Sequence, residues 1–267
     1  MEYRTLRLQM EGPIARVTLA RPEAANRIGA RTLTELEAAC EAIAASDAVC
    51  VTLVTADGRD FCAGWDSGPA ETSPPAEAPT PHPNPLPSRG EGMLDPFAPL
   101  ANLPCPVVVA VQGACLSAGL ELALACDIRL AADDARFGLP EVSQGTLPRA
   151  GGSQRLSRLA GRSVATSMLL LGDELDAEAA YRAGLVSRVA PAAKLAAAAE
   201  AVAAKIAALG PLALRYAKEA VQQGSQLPLD QALRYELDLS VILQTTQDRA
   251  EGVQAFLEKR PPRFEGR

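Results

Sequence analysis

A strand-length apolar run followed by a loop and then a helix recurs along this chain, and that repetition limits its fold more than any other feature. Residues 14–19 (Ile-Ala-Arg-Val-Thr-Leu) alternate and are rich in β-branched side chains. Arg21-Pro22 ends the strand, and residues 31–46 then carry Leu33, Leu36, Cys40 and Ile43 at helical spacing. Residues 49–55 (Val-Cys-Val-Thr-Leu-Val-Thr) suit a strand buried on both faces, as in parallel sheets covered by helices, and a loop follows at 56–67. Residues 106–111, with Val107, Val108 and Val109, repeat the pattern and lead through Gln112-Gly113 into a helix. Three such units in succession predict an α/β fold with right-handed crossovers.

Further along, residues 127–130 and 135–137 read as short strands, and 138–152 as a loop punctuated by Gly and Pro that holds Glu141. Helices are expected at 153–160, 163–171 and 176–183, with a strand at 185–189. Residues 191–258 are almost wholly helical, with breaks at Gly210-Pro211, Gly224 and Pro228. Such an Ala- and Leu-rich tail cannot bury itself well and is expected to pack on the core or on another subunit. Residues 69–91 are so rich in proline that they can be neither helix nor sheet, and read as an inserted mobile surface loop, with a proline ligand for a partner domain as the functional alternative.

Composition narrows the chemistry. With 267 residues, 48% of them hydrophobic and 22% charged, the chain can form one large core, alone or with an appendage. A net charge of −6 leaves no basic footprint for nucleic acid or an anionic membrane. The charged start, Met-Glu-Tyr-Arg, is unlike a secretory signal, and no run is long and apolar enough to span a bilayer, so a soluble intracellular protein is expected. The six cysteines lack C-x-x-C spacing and lie mostly in apolar segments, which suits a reducing cytoplasm. His82, the only histidine, lies among prolines. Ser-His-Asp and Cys-His arrangements and a His-containing metal site are therefore not expected. Nor is a dinucleotide or nucleoside-triphosphate site, since neither glycine-rich fingerprint is present.

Carboxylates and backbone N–H groups remain. Glu121 sits in the first turns of a helix of small and apolar residues, sharing its face with Ser117, Ala118, Leu124 and Ala125, none of which can pair with it. Its pKa is expected to rise, as a general acid or base near neutral pH requires, unless the side chain reaches water or Arg129. Free N–H groups are expected in the first turn at 117–119 and in the loop Ala63-Gly64-Trp65-Asp66, where the glycine allows close approach of backbone to a ligand. Both sites follow a predicted parallel strand, where α/β sheets bind ligands. Two N–H donors converging on one oxygen would form an oxyanion hole able to stabilise an enolate.

Several stretches together resemble the crotonase, or enoyl-CoA hydratase/isomerase, superfamily: residues 21–26, Asp60-Phe61-Cys62-Ala63-Gly64-Trp65-Asp66, 106–127, Phe137-Gly138-Leu139-Pro140-Glu141, 145–156 and Phe256-Leu257-Glu258-Lys259-Arg260. The resemblance covers the chain apart from the insertion. It implies a spiral of ββα units over residues 1–190 and a helical region over 191–267 that packs a homotrimer, often a dimer of trimers. The implied substrate is an acyl thioester of coenzyme A, with no further cofactor and no metal. The backbone N–H groups of Trp65 and Ala118 would hold the thioester oxygen, Glu121 would activate the water added at the β-carbon, and Glu141 would protonate the α-carbon. Ala24, Asn26 and Arg27, the backbone of Phe61, Cys62 and Ala63, and the adjoining Gly64 and Asp66 would line the path of the coenzyme, with a neighbouring subunit's Lys259 reaching a phosphate.

Three positions depart from the usual hydratase pattern: Trp65 replaces a small residue, Ser117-Ala118 a glycine pair, and Arg149 a frequent glycine. Arg149 is open to three readings: it reaches Glu141, it reaches the acyl pocket to recognise a substrate carboxylate, or it points to solvent. Having both glutamates favours hydration. The alternatives are an isomerase or other enolate-forming enzyme using Glu141 alone, or a catalytically weak acyl-CoA-binding protein.

Overall fold

The computed structural model describes residues 3–66 and 95–267; the proline-rich stretch at 69–91 lies outside the described residues. The chain opens with a hairpin of β1 (Leu6–Glu11) and β2 (Ile14–Leu19), antiparallel with Leu6 opposite Leu19. Helix α1 (Ala30–Ala44), strand β3 (Val51–Ala56), the short α2 (Ala98–Ala101) and strand β4 (Val107–Val111) follow. Next come β5 (Ala114–Leu116), α3 (Ala118–Leu124), β6 (Ile128–Ala132) and β7 (Arg136–Gly138), then a 3-10 turn at Pro140–Gln144. Helices α4 (Gly152–Leu159) and α5 (Gly161–Leu171) precede β8 (Leu175–Asp176), α6 (Ala177–Arg182) and β9 (Arg188–Ala190). The chain ends in α7 (Leu195–Ala207), α8 (Pro211–Gly224), α9 (Leu229–Gln244) and α10 (Gln247–Glu258).

Six strands form one sheet in the order β1-β2-β3-β4-β6-β9, parallel from β2 onward. The β-branched runs do what their composition demands, because every residue of β4 is buried and alternate side chains go to opposite faces. Val107, Val109 and Val111 join Leu36, Ala39 and Ile43 of α1 in one core, while Val108 and Ala110 join Leu195, Ala199 and Val202 of α7 in another. Helix α7 thus closes the second face of the sheet, so by packing it goes with the core although it lies beyond residue 190. The strand β1 was not anticipated; Leu6, Leu8 and Met10 do alternate with polar residues, but of the six only Leu6 is fully buried.

A second sheet, β5-β7-β8, stands apart from the first, with β5 and β7 parallel and Cys115 opposite Phe137. It positions the site. The anticipated breaks at Gly210-Pro211 and Gly224 to Pro228 separate α7, α8 and α9, and a further one precedes α10, where the Thr246 hydroxyl accepts the Arg249 N–H at 3.1 Å. Among the described residues no single helix is long and apolar enough to cross a membrane.

The edge hairpin is held by a buried carboxylate. Glu35 of α1 accepts the N–H groups of Arg4 and Thr5 at 3.0 and 2.8 Å, the Thr5 hydroxyl at 2.7 Å and Arg31 Nε at 2.9 Å. Burial alone would raise its pKa, but these donors outweigh it and bring the group down to about 2. A folded-state pKa below the unfolded value gives stability that is full above about pH 4.5 and is lost as the pH falls through about 2. Glu35→Gln should therefore lower stability by roughly 2–3 kcal/mol at neutral pH. In urea titrations the variant's deficit should shrink between pH 4.5 and 2; a pH-independent deficit would show that the charge is not what holds the hairpin.

Candidate active site

Three chain segments run parallel and finish at one end of the second sheet. Cys62 forms a parallel bridge with Cys115, donating its N–H to the Ala114 carbonyl at 2.9 Å and accepting the Leu116 N–H at 3.0 Å. Cys115 in turn stands opposite Phe137. Just past this row lie Trp65, Ser117 with Ala118, and Glu141. Trp65, Ser117 and Glu141 border a cleft of about 450 Å³ lined also by Arg27, Ala63, Gly64, Asp66, Leu116 and Arg149, whereas Ala118 and Glu121 are wholly buried and do not line it.

The loop through Trp65 is extended and doubly anchored. Ile28 donates to the Gly64 carbonyl at 2.9 Å and accepts the Asp66 N–H at 2.8 Å. Alternation along an extended chain turns the intervening Trp65 N–H the other way. Gly64 allows this turn, for its φ of +120° is one that few other residues adopt, and a Cβ there would lie 3.1 Å from Ser117 Cβ. Across the cleft, the Ser117 N–H is donated to the Gly138 carbonyl at 2.9 Å and helix α3 begins at Ala118. Among the described residues neither the Trp65 nor the Ala118 N–H has an acceptor.

Glu121 has no exposed surface. It was expected to lack partners, yet one oxygen has two that no helical periodicity could reveal: Oε1 accepts the N–H groups of Ala150 at 2.7 Å and Gly152 at 3.0 Å. Gly152 must be a glycine for this approach, since a Cβ would stand 3.0 Å from Oε1. Arg129 is engaged elsewhere, donating to the Leu185 carbonyl at 2.7 Å. Burial raises the pKa of Glu121, the two N–H bonds oppose this, the charge of Glu141 raises it further, the Trp65 indole N–H, nearby but outside hydrogen-bond geometry, lowers it slightly, and the net shift is upward.

Five buried side-chain polar atoms lack a hydrogen-bond partner among the described residues, and four belong to this site: Glu121 Oε2, both carboxyl oxygens of Glu141, and Trp65 Nε1. Leaving such atoms unpaired costs about 1–3 kcal/mol each, so their concentration in one place is a mark of function. The indole plane is fixed by Phe97, stacked at a centroid distance of 6.2 Å, and by Arg149, whose guanidinium carbon lies 4.3 Å from the ring centroid. Of the three readings of Arg149, no ion pair with Glu141 forms; the residue is exposed, and its guanidinium lies over the indole at the solvent-facing wall of the cleft. Sequence alone missed Phe97, as it missed the anchoring N–H groups, because nothing local marks it.

The coenzyme-lining expectations divide. Arg27, Ala63, Gly64 and Asp66 line the cleft, Arg27 donating to the Trp65 carbonyl at 3.2 Å and Asp66 paired with Arg21 at 2.9 Å. Ala24, Phe61, Cys62 and Lys259 do not line it. The N–H groups of Phe61, Cys62 and Ala63 are all donated to other backbone carbonyls and are not free for a ligand. Asn26 corrects the expectation most clearly: its amide accepts from Arg21 N at 2.9 Å and donates to the carbonyls of Asp57 and Asp60 at 2.8 and 2.9 Å. Asn26 is a buried brace for the loop. Cys62, beside the cleft, is no nucleophile, because burial pushes its thiol up to about 12.

With these features the chain can be set beside known proteins. The family model for enoyl-CoA hydratase/isomerase matches residues 9–267. The chain is 40% identical to a 2,3-dehydroadipyl-CoA hydratase of Escherichia coli over 251 residues, 94% of each protein. It is 36% identical to a crotonyl-CoA hydratase of Syntrophomonas wolfei over 99% of each. A solved enoyl-CoA hydratase subunit from Geobacillus kaustophilus superposes with a TM-score of 0.88 at 35% identity, covering 100% of both chains.

Ser117 carries the strain of this arrangement. Its φ of 51° and ψ of −121° belong to a region that favours glycine. Ser117→Gly should relieve strain that exceeds the added chain entropy of glycine and stabilise the protein by about 1 kcal/mol. A higher urea midpoint with an unchanged slope is expected; a lower midpoint would show that the hydroxyl holds the helix start.

Proposed function

The chain belongs to the enoyl-CoA hydratase/isomerase family, and from that premise we propose that it adds water reversibly across the double bond of a 2-enoyl-CoA, using Glu121 and Glu141 over a single thioester. The observation that carries this reading is the pair of buried carboxyls with three of their four oxygens unpaired among the described residues, near enough that the charge of Glu141 raises the pKa of Glu121.

In this reading the thioester oxygen accepts from the Trp65 and Ala118 N–H groups, which withstand substitution because they belong to the backbone. Glu121, anchored through Oε1, uses Oε2 to take a proton from water as its oxygen bonds to the β-carbon. The electron pair of the double bond moves toward the thioester, and the resulting enolate takes a proton from Glu141 at the α-carbon. One water is added, and a proton has moved from Glu141 to Glu121. Its return resets the pair. Two carboxyls in unlike settings, one on an apolar helix and one on a 3-10 turn, suit this division of acid and base. No redox cofactor enters the balance.

We further assign a homotrimer, or a dimer of trimers, in which a neighbour's Lys259 reaches a coenzyme phosphate. Support comes from α9, where Leu229, Leu233, Leu237 and Val241 recur every fourth residue and are each more than half exposed in the single chain. Six free cysteines, five of them buried, fit a cytoplasmic setting.

Glu121→Gln and Glu141→Gln should each reduce hydration of a short 2-enoyl-CoA by about 10²–10⁴-fold, followed by loss of the conjugated-enoyl absorbance, with assembly unchanged. Near wild-type rates in both would refute the assignment; full activity on a 3-enoyl-CoA in Glu121→Gln alone would make the protein an isomerase. Sedimentation should give a multiple of three times 27.9 kDa. The double variant Leu233→Asp, Leu237→Asp should fall to monomer, and an unaltered mass would place the interface elsewhere.

A further inference from the structure

We propose that Arg149, laid on the Trp65 ring, forms a carboxylate-recognition site at the wall of the cleft, which selects 2-enoyl-CoA substrates whose acyl chain bears a second, free carboxylate. The inference rests on the hydration reading and names the class of substrate for it.

The backbone next to Arg149 is anchored by hydrogen bonds. Its neighbour Ala150 gives its N–H to Glu121 at 2.7 Å, Gly152 does so at 3.0 Å, and the Ala150 carbonyl accepts from Arg155 at 3.1 Å. From that point the guanidinium carbon lies over the indole, 4.3 Å from its centroid, an arrangement in which the N–H edges can still meet another partner. Those edges have no acceptor among the described residues. Of the other charged groups lining the cleft, only Asp66 has an ion pair among the described residues. Asp66 is paired with Arg21 at 2.9 Å, Arg27 donates to the Trp65 carbonyl at 3.2 Å, and Glu141 is buried without an ion pair to Arg149. Arg149 is thus an exposed cation at the cleft wall whose donors have no acceptor among the described residues.

A guanidinium so placed is a poor wall for a purely apolar tail, which would cover it without satisfying its donors. A carboxylate meets the same group with two parallel hydrogen bonds, the geometry that distinguishes arginine from lysine. The phosphates of coenzyme A offer related chemistry, so a test must separate an anion on the acyl chain from one on the coenzyme.

The pair 2-hexenoyl-CoA and its equivalent ending in a carboxylate at carbon six separates them, because the coenzyme is common to both. Wild-type enzyme should favour the carboxylated thioester in kcat/KM. In Arg149→Gln that preference should fall by roughly tenfold to a hundredfold, mostly through KM, and Arg149→Lys should restore only part of it. A loss equal on both substrates would mean that Arg149 serves the coenzyme or the fold, and would overturn the proposal, as would a wild type without preference. Calorimetric binding of adipyl-CoA against hexanoyl-CoA needs no turnover: a preference for adipyl-CoA abolished in Arg149→Gln supports the site even if hydration itself fails, and equal affinities in the wild type refute it.

Discussion

The parallel register that sets Cys62 beside Cys115, and Cys115 beside Phe137, is the constraint on which the site depends. Side-by-side segments running the same way end at the same place. Trp65 follows its row member by three residues, Ala118 follows Cys115 by three, and Glu141 follows Phe137 by four. A slip of one residue in any of the three would turn the wrong side chains to the cleft. The large six-stranded sheet supplies the buried mass against which this small sheet can be held, and the loop brace at Asn26 keeps the first of the three segments in line.

Around that register the chain accepts local disadvantages that have no structural benefit. Ser117 is strained, and among the described residues Glu121 is buried with one oxygen unpaired and Glu141 has neither oxygen paired. Each weakens the fold; Ser117 and Glu141 line the cleft and Glu121 is buried within electrostatic reach of Glu141, the distribution expected where function competes with stability. The offsetting contributions come from elsewhere: the fully buried β4, the α7 face and the Glu35 clamp.

Much of the architecture was legible because it is local. Strands that are apolar on both sides announced a parallel sheet, and a lone carboxylate in an apolar helix announced Glu121 as unusual. What was not legible depends on chain segments far apart. The N–H groups that hold Glu121 come from residues 150 and 152, and their role is invisible until the loop folds back on α3. Phe97 and Arg149 meet Trp65 only in space. Asn26 lies where a ligand contact was expected, yet its amide is saturated by backbone. The edge strand β1 escaped because a strand exposed along most of its length shows little apolar contrast.

Two carboxyls acting on one substrate are the centre of the mechanism, and isotope incorporation tests them most directly. In heavy-oxygen water and in deuterium oxide, turnover of a 2-enoyl-CoA should place one solvent oxygen on the β-carbon and one solvent hydrogen on the α-carbon of each product molecule. Solvent hydrogen entering at the α- or γ-carbon with no oxygen at the β-carbon would mean that one carboxyl works alone, and would contradict the account.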